Sequence, residues 1–386
     1  MIKKVYTKET KYKNIKTNPS LLGFGCMRFP TQHKDQPDID EAQAAAMIDF
    51  AYQSGVNYFD TAYPYHHGLS EPFMGRILKQ YPRESFYLAT KLPSWEITSV
   101  EDAKRIFNEQ LERLQVDYFD YYLCHALSEK NFKPYQLPGV MAFLNDMRSQ
   151  GKIRHLGFSF HDTPEVLETI IQSNDWDFVQ LQLNYLDWDY QKANQQYRIV
   201  TDYGVPVIVM EPVRGGTLAT LSEAAQTVLK KANPSASIAS WAMRYAASKE
   251  NVMVVLSGMS DMSQVKDNVN TLTSFKPIDK QEQSVIDLAL NKFLESKTVP
   301  CTACQYCMPC PEGVDIPELF KIFNDYQLSG YKRMFVNAYE ALQESARALN
   351  CIQCGICVEQ CPQNIEIPDR LAEIHAVYET VKKELG

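Results

Sequence analysis

The chain has 386 residues, with 39 lysine and arginine against 47 aspartate and glutamate, a formal net charge of −8. Hydrophobic residues make up 45% and charged residues 22%, which excludes wholesale disorder. The acidic balance argues against nucleic acid as a main partner, because phosphate binding needs basic clusters. No apolar run reaches the ~18–20 residues of a membrane span. The basic start, MIKKVYTKETKYKNIKTNPS, lacks an apolar core and is not expected to be a signal peptide. The cytoplasm is the expected compartment.

In chain order, eight apolar runs read as strands: 20–29, 56–62, 85–92, 118–127, 153–161, 177–185, 205–213 and 252–259. They are near-continuous rather than alternating, as strands covered on both faces should be. Between them, segments such as 40–55, 100–115, 140–152 and 237–250 carry helical spacing. Repeated βα units imply a parallel sheet. Eight of them in ~250–280 residues predict the α/β class and a (β/α)8 barrel over residues 1–290. A doubly wound sheet is the rival, but no GxGxxG follows the first strand; Gly23 and Gly25 form only GxG. Residues 276–300 read as a connecting helix and a proline-marked boundary. A small, mainly α-helical domain is expected over 291–386.

Active sites of such barrels lie at the C-terminal ends of the strands. There the sequence offers Asp60 and Tyr65 in DTAYPYHHGLSE, Lys91 in ATK and His125 in YYLCHAL. The intervals of 31 and 34 residues are about one βα unit each, so the four groups can converge. A phenol is a poor acid at neutral pH, and a nearby ammonium is expected to lower its pKa. Asp60 would hold that ammonium, His125 would bond a substrate oxygen, and Tyr65 would donate the proton. His66 and His67 are adjacent and read as a surface loop rather than a metal pair. Cys26 and Cys124 read as small buried residues. Trp95 and Trp188 read equally as pocket lining or as packing, and Arg214-Gly215-Gly216 as a phosphate cradle or a plain turn.

These residues resemble the aldo/keto reductase family over about residues 15–275. The resemblance implies Tyr65 as the acid, with Asp60, Lys91 and His125 beside it, and a carbonyl substrate. It also implies a nicotinamide cofactor, NADPH or NADH. Ser159 and Gln180 match residues that hold its carboxamide, and Ser260, Gln264 and Asn268 match residues that bind its adenosine end. Arg214 and Gly215 are counted with that cofactor set, and the helix N-terminus after strand eight is expected to be an anion seat. Three departures stand out: Phe160 in place of Asn, Met210 in place of a stacking Tyr, and Asp261 near where NADPH-preferring members place a basic residue. A carboxylate there would repel a 2′-phosphate.

Eight of the ten cysteines fall in the last 86 residues. Cys351, Cys354, Cys357 and Cys361 form C-x2-C-x2-C-x3-C-P, the run of bacterial [4Fe–4S] ferredoxins. A zinc site explains this spacing poorly. Cys301, Cys304, Cys307 and Cys310 form a related group with x2 before the last cysteine. CPEGVDIPELF and CPQNIEIPDRL repeat one another. In two-cluster ferredoxins the fourth cysteine ligates the other cluster. That assigns Cys301, Cys304, Cys307 and Cys361 to one cluster, and Cys351, Cys354, Cys357 and Cys310 to a second. The 50-residue offset, with a helical stretch between, resembles an α-helical ferredoxin domain.

Hydride chemistry moves two electrons and an iron–sulfur cluster moves one, and no flavin motif is evident. Three functions follow. One is an NAD(P)H-dependent carbonyl oxidoreductase carrying clusters. Another is a nicotinamide-independent reductase fed through the clusters by a ferredoxin or flavoprotein partner. The third is a non-catalytic redox sensor.

Overall fold

The structure is a computed structural model, and it describes residues 4–8, 15, 17–33, 38–295 and 298–385. Part of the N-terminal segment weighed as a signal peptide lies outside those residues. The chain packs as two units, Met1–Pro212 with Ser240–Ile278, and Val213–Ala239 with Asp279–Gly386.

The first unit is a closed parallel barrel of eight strands in sequential order. They are β1 Leu22–Gly25, β2 Tyr58–Asp60, β3 Tyr87–Pro93, β4 Phe119–Leu127, β5 Ile153–Phe160, β6 Phe178–Gln182, β7 Val207–Met210 and β8 Val252–Gly258. All eight expected strands form, most of them shorter than their apolar runs. The runs overshoot because residues past a strand end are buried too: Cys26, Ala62 and Leu183 have no exposure yet lie outside the ladder. The connecting helices start where side chains can satisfy free backbone N–H groups. Asp40 caps Glu41–Gln53, and Ser99 with Asp102 forms a capping box before Val100–Leu114. Tyr58, Ala89, Tyr121, Leu123, Phe178, Ile208 and Met253 fill the barrel below the functional strand ends. Full burial of such side chains contributes about 1.5–3 kcal/mol each.

The second unit is helical among its described residues. Helix Glu223–Ala232 packs on helix Lys280–Leu294, and helices Ile316–Ser329, Lys332–Ala341 and Ile367–Leu385 pack on one another. Packing therefore groups residues 213–239 and 279–290 with the cysteine-rich tail. The tail's core includes Val314, Ile316, Phe320, Phe335, Tyr339, Cys357, Ile367 and Ile374, with five more cysteines among the residues packed on it.

The sequence repeat is also a backbone repeat. After Cys310 a turn closes with Gly313 N–H donating to the Cys310 carbonyl, and after Cys361 the Asn364 N–H does the same. Gly313 and Asn364 are both left-handed. Helices then begin at Ile316 and Ile367, each followed by a proline that needs no N–H donor in the first turn.

Candidate active site and cluster cavities

β2, β3 and β4 deliver three side chains to one end of the barrel. Lys91 Nζ donates to Asp60 Oδ1 at 2.5 Å and to the Thr61 carbonyl at 2.8 Å. It also reaches the Tyr65 hydroxyl at 3.3 Å and lies 4.8 Å from the centre of that ring. The Tyr65 ring meets His125 edge-on at 6.1 Å. Asp60, Lys91 and His125 are all buried. The structure thus brings together the four residues singled out in the sequence.

The electrostatics differ from expectation on one point. Burial, and next the Asp60 carboxylate, push the Tyr65 phenol well above its ordinary range. The neighbouring Arg28 charge pulls it down, but by less than these push it up. Tyr65 is therefore held as a proton-bearing phenol. Burial, reinforced by Lys91, drives His125 well below the usual imidazole range, so it is neutral at physiological pH.

His125 is aimed by a local distortion. β4 slips register against β5 between Cys124 and Leu127, and Ala126 takes a left-handed φ of 52°. Such strain persists only where surroundings hold it. Here the His125 N–H donates to the Tyr135 hydroxyl at 2.9 Å, and that hydroxyl donates in turn to the Leu92 carbonyl. The Ala126 N–H donates to Ser159 Oγ at 2.7 Å, and Asn131 Nδ2 donates to the Ala126 carbonyl at 2.9 Å. His125 Nδ1 is buried without a hydrogen-bond partner, as a group awaiting a ligand would be. The exposed Trp95 ring lies 5.2 Å from the His125 ring, and so at the site. Trp188 instead stacks among Tyr197, Tyr245 and the Lys249 ammonium as packing.

The residues expected to hold nicotinamide divide into three sets. Gln180 donates to Asp60 Oδ2 at 3.2 Å and Ser159 supports the β4 bulge, so both lie at the tetrad. With the orphaned His125 nitrogen, they fit a ligand's polar end group. Ser260 and Gln264 bond one another, and Asn268 bonds a residue of β8. The Ser260 N–H donates to Gln264 Oε1, and Asn268 Nδ2 donates to Ser257 Oγ. The anion seat expected at helix Met262–Thr273 is filled by Asp261, whose Oδ1 accepts from the Ser263 and Gln264 N–H groups at 2.8 and 3.0 Å. Arg214 and Gly215 are the third set. They belong to the second unit, where Arg214 is fully buried and donates to the Pro300 carbonyl and to Gln363 Oε1. His66 accepts from the Phe29 N–H, and Cys26 and Cys124 are buried thiols.

In the second unit two cavities divide the eight cysteines. One is lined by Cys301, Cys304, Cys307 and Cys361. The other is lined by Cys310, Cys351, Cys354 and Cys357, with Cys307 on its wall. Ile316 also borders both. The cysteine loops alternate left-handed residues, Ala303 and Gln305 in the first and Gln353 and Gly355 in the second. Such alternation turns successive N–H groups inward to form an anion-binding nest, and the Ala303 N–H already donates to Cys301 Sγ at 3.3 Å. Among the described residues, no three His, Cys, Asp or Glu are gathered tightly enough for a single ion. Tetrahedral zinc would need sulfurs about 3.8 Å apart; an iron–sulfur cubane spreads them wider. Burial pushes Cys301 up to about 11 and Cys307 up to about 12. These thiols therefore stay protonated at neutral pH, and binding a metal would displace their protons.

An aldo/keto reductase family model matches residues 21–291, and the chain belongs to that family. A 4Fe-4S dicluster domain model matches residues 300–366. The protein is thus an oxidoreductase barrel followed by an iron–sulfur domain. L-galactose dehydrogenase of Arabidopsis thaliana is 27% identical over 271 residues, covering 65% of this chain and 84% of its own length. The NADH-specific methylglyoxal reductase of Escherichia coli is 30% identical over 198 residues, covering 47% of this chain and 60% of its own length. Among solved structures, the holo form of an aldo-keto reductase from Bacillus halodurans superposes with a TM-score of 0.59 at 25% identity, covering 74% of this chain and 96% of its own. An aldo-keto reductase from Klebsiella pneumoniae in complex with NADPH shares the fold, with a TM-score of 0.57 at 20% identity over 74% of this chain and 95% of its own.

Sequence reading missed the supports of the site. Tyr135 and Asn131 hold the bulge. Gln110 Nε2 donates to the Lys91 carbonyl at 3.0 Å and to the buried Glu71 at 2.7 Å. Nothing in local spacing marks such residues; their roles arise only when distant segments meet. No helix among the described residues is long and apolar enough to cross a membrane.

Proposed function

We propose that the barrel reduces a small carbonyl compound, or oxidises the matching alcohol, with a nicotinamide hydride donor, and that the tail carries two [4Fe–4S] clusters. The observation that supports this most strongly is the Tyr65 hydroxyl within 3.3 Å of a buried Lys91–Asp60 pair. Nicotinamide, when bound, would supply hydride. Ser159 and Gln180 would face its carboxamide. Tyr65 gives its proton to the carbonyl oxygen as charge develops there, and Lys91 stabilises the phenolate left behind. Neutral His125 orients the same oxygen by hydrogen bonding, and Trp95 covers the mouth. NADH is favoured over NADPH, because Asp261 already occupies the helix terminus and would oppose a phosphate. Tyr65→Phe is the test: turnover of a carbonyl substrate should fall at least ~10²-fold, and unchanged turnover would remove Tyr65 as the acid.

Cys301, Cys304, Cys307 and Cys361 would hold one cluster, and Cys310, Cys351, Cys354 and Cys357 the other. Cys354 is exposed, flanked by the exposed Ile352 and Ile356. A ferredoxin or flavoprotein would exchange single electrons there. The cytoplasm, where thiols stay reduced, suits this composition.

A second reading rests on the self-capped helix at Asp261. If that terminus admits no nicotinamide cofactor, the barrel keeps its acid and the clusters are the electron source. Anaerobic titration with NADH and NADPH, followed by nicotinamide fluorescence, separates the two: saturable binding supports the first reading, and its absence the second.

A further inference from the structure

We infer that Arg214 and Gly215 form a clasp that holds the ligand set Cys301, Cys304, Cys307 and Cys361 together before any cluster is present. This set, unlike the other, depends on a segment that precedes the cysteine-rich tail. The inference rests on the dicluster reading of that tail. Cys301 and Cys361 are 60 residues apart in sequence. Bringing such distant ends together costs loop-closure entropy, which metal binding would otherwise have to offset.

Arg214, in the glycine-rich turn Arg214–Ala219, joins those ends in the protein itself. Its Nη1 donates at 2.8 Å to the carbonyl of Pro300, the residue before Cys301. Its Nη2 donates at 3.1 Å to Oε1 of Gln363, two residues after Cys361. Arg214 and Gln363 are both buried, so water does not compete for these bonds. A planar guanidinium carries its donors in a fixed fork, and one side chain can therefore hold two acceptors at a set spacing. The clasp depends on that geometry and not on net charge. Gly215 brings the turn against the same stretch of chain. Its φ is +61°, and a Cβ there would stand 2.4 Å from the Thr302 carbonyl oxygen. Only glycine permits this approach. Asn324 of helix Ile316–Ser329 holds the residue before Pro300, accepting from the Val299 N–H at 2.6 Å and donating to the Val299 carbonyl at 2.8 Å. The chain leading through Cys301 is thus fixed at Val299, Pro300 and Thr302.

The repeat supplies an internal contrast. The second set is joined by backbone of the tail itself. The Asp315 N–H donates to the Ala346 carbonyl at 3.0 Å, linking the segment after Cys310 to the segment before Cys351. Where Gln363 closes the clasp after Cys361-Pro362, the repeat places Glu312 after Cys310-Pro311, and Glu312 is exposed. Opening the clasp should therefore loosen the first cluster and spare the second.

The experiment uses the full chain, reconstituted without oxygen, and iron and sulfide are counted first. Parent protein that does not load two clusters refutes the dicluster reading itself, a failure distinct from the one at issue. Given loading, Cys351→Ala and Cys301→Ala provide two backgrounds, which on the proposed ligand sets keep the first and the second cluster respectively. Iron release to a colorimetric chelator is then timed in each. In the Cys351→Ala background, Arg214→Gln and Gln363→Leu should each speed release at least ~tenfold, the scale of a lost hydrogen bond from a charged donor. Combined, they should add little to either alone, since both open one clasp. Gly215→Ala should act in the same direction. In the Cys301→Ala background all three substitutions should leave release unchanged. If circular dichroism shows that Arg214→Gln has lost helix, Gln363→Leu, which leaves Arg214 in place, carries the same test. Unchanged release in the first background, equal acceleration in both, or effects of Arg214→Gln and Gln363→Leu that add in full would overturn the inference.

Discussion

The Asp60–Lys91 pair invites a stability measurement, because both side chains are almost entirely out of water, at 4% and 1% exposure. At 2.5 Å and an effective dielectric constant near 20, their attraction is about 6–7 kcal/mol. Desolvation costs several kcal/mol per ion, so the intact pair comes close to breaking even. Removing one member is different: it leaves the other charged group buried and uncompensated, at about 3–5 kcal/mol. Lys91→Met should therefore cost that much. For a unit this large, it should lower the melting temperature by about 6–20 °C. The paired substitution Asp60→Asn with Lys91→Met removes both charges and should recover most of the loss, while both proteins remain inactive in carbonyl turnover. Thermal and urea unfolding followed by circular dichroism give the comparison. A Lys91→Met protein within about 1 kcal/mol of the parent, or a double variant no more stable than the single, would show that the pair is not desolvated as described.

Four further outcomes are expected. Carbonyl reduction should not decline between pH 7 and 10, since the Tyr65 proton is held more tightly than that of a free phenol, and a rate profile measures this. Stability should fall as pH drops below 6.5. His125 and His155 both titrate below the unfolded value, His155 at about 4, so the unfolded chain takes up protons first. Each should cost about 2 kcal/mol by pH 5, readable in urea midpoints. Asp261→Ser keeps a helix cap but removes its charge; it should raise the NADPH-to-NADH affinity ratio about tenfold and cost under ~1 kcal/mol, and a ratio that stays put would clear Asp261 of that role. Cys361→Ala should remove the same cluster as Cys301→Ala, with no added iron loss in the double variant, whereas Cys351→Ala should add to either.

The barrel was readable because eight buried parallel strands leave eight apolar runs, and because Asp60, Lys91 and His125 sit where those runs stop. The cysteine groups were readable because a cluster fixes its ligands at short intervals. What stayed hidden depends on contacts between distant segments. Arg214 stands in a polar, glycine-rich stretch whose local pattern suits a phosphate, and only the folded chain shows Pro300 and Gln363 closing on it. Asp261 looked like an obstacle to phosphate by its charge; its place as the cap of helix Met262–Thr273 needed backbone directions. The fall in Tyr65 pKa expected from a neighbouring ammonium failed for a similar reason. The sequence put Lys91 near the phenol but could not show how completely Asp60 and burial offset it.

The exchange of cysteines between the two halves of the tail has a consequence for how the protein is made. On the proposed ligand sets, Cys301, Cys304 and Cys307 leave the ribosome well before Cys361, and Cys310 waits as long for its own companions. Neither cavity can be completed while only the first cysteine group has been synthesised. Iron delivered that early would meet three thiols and an open side. Assembly is thereby tied to synthesis past residue 361, and a polypeptide cut short between residues 310 and 351 would carry neither cluster.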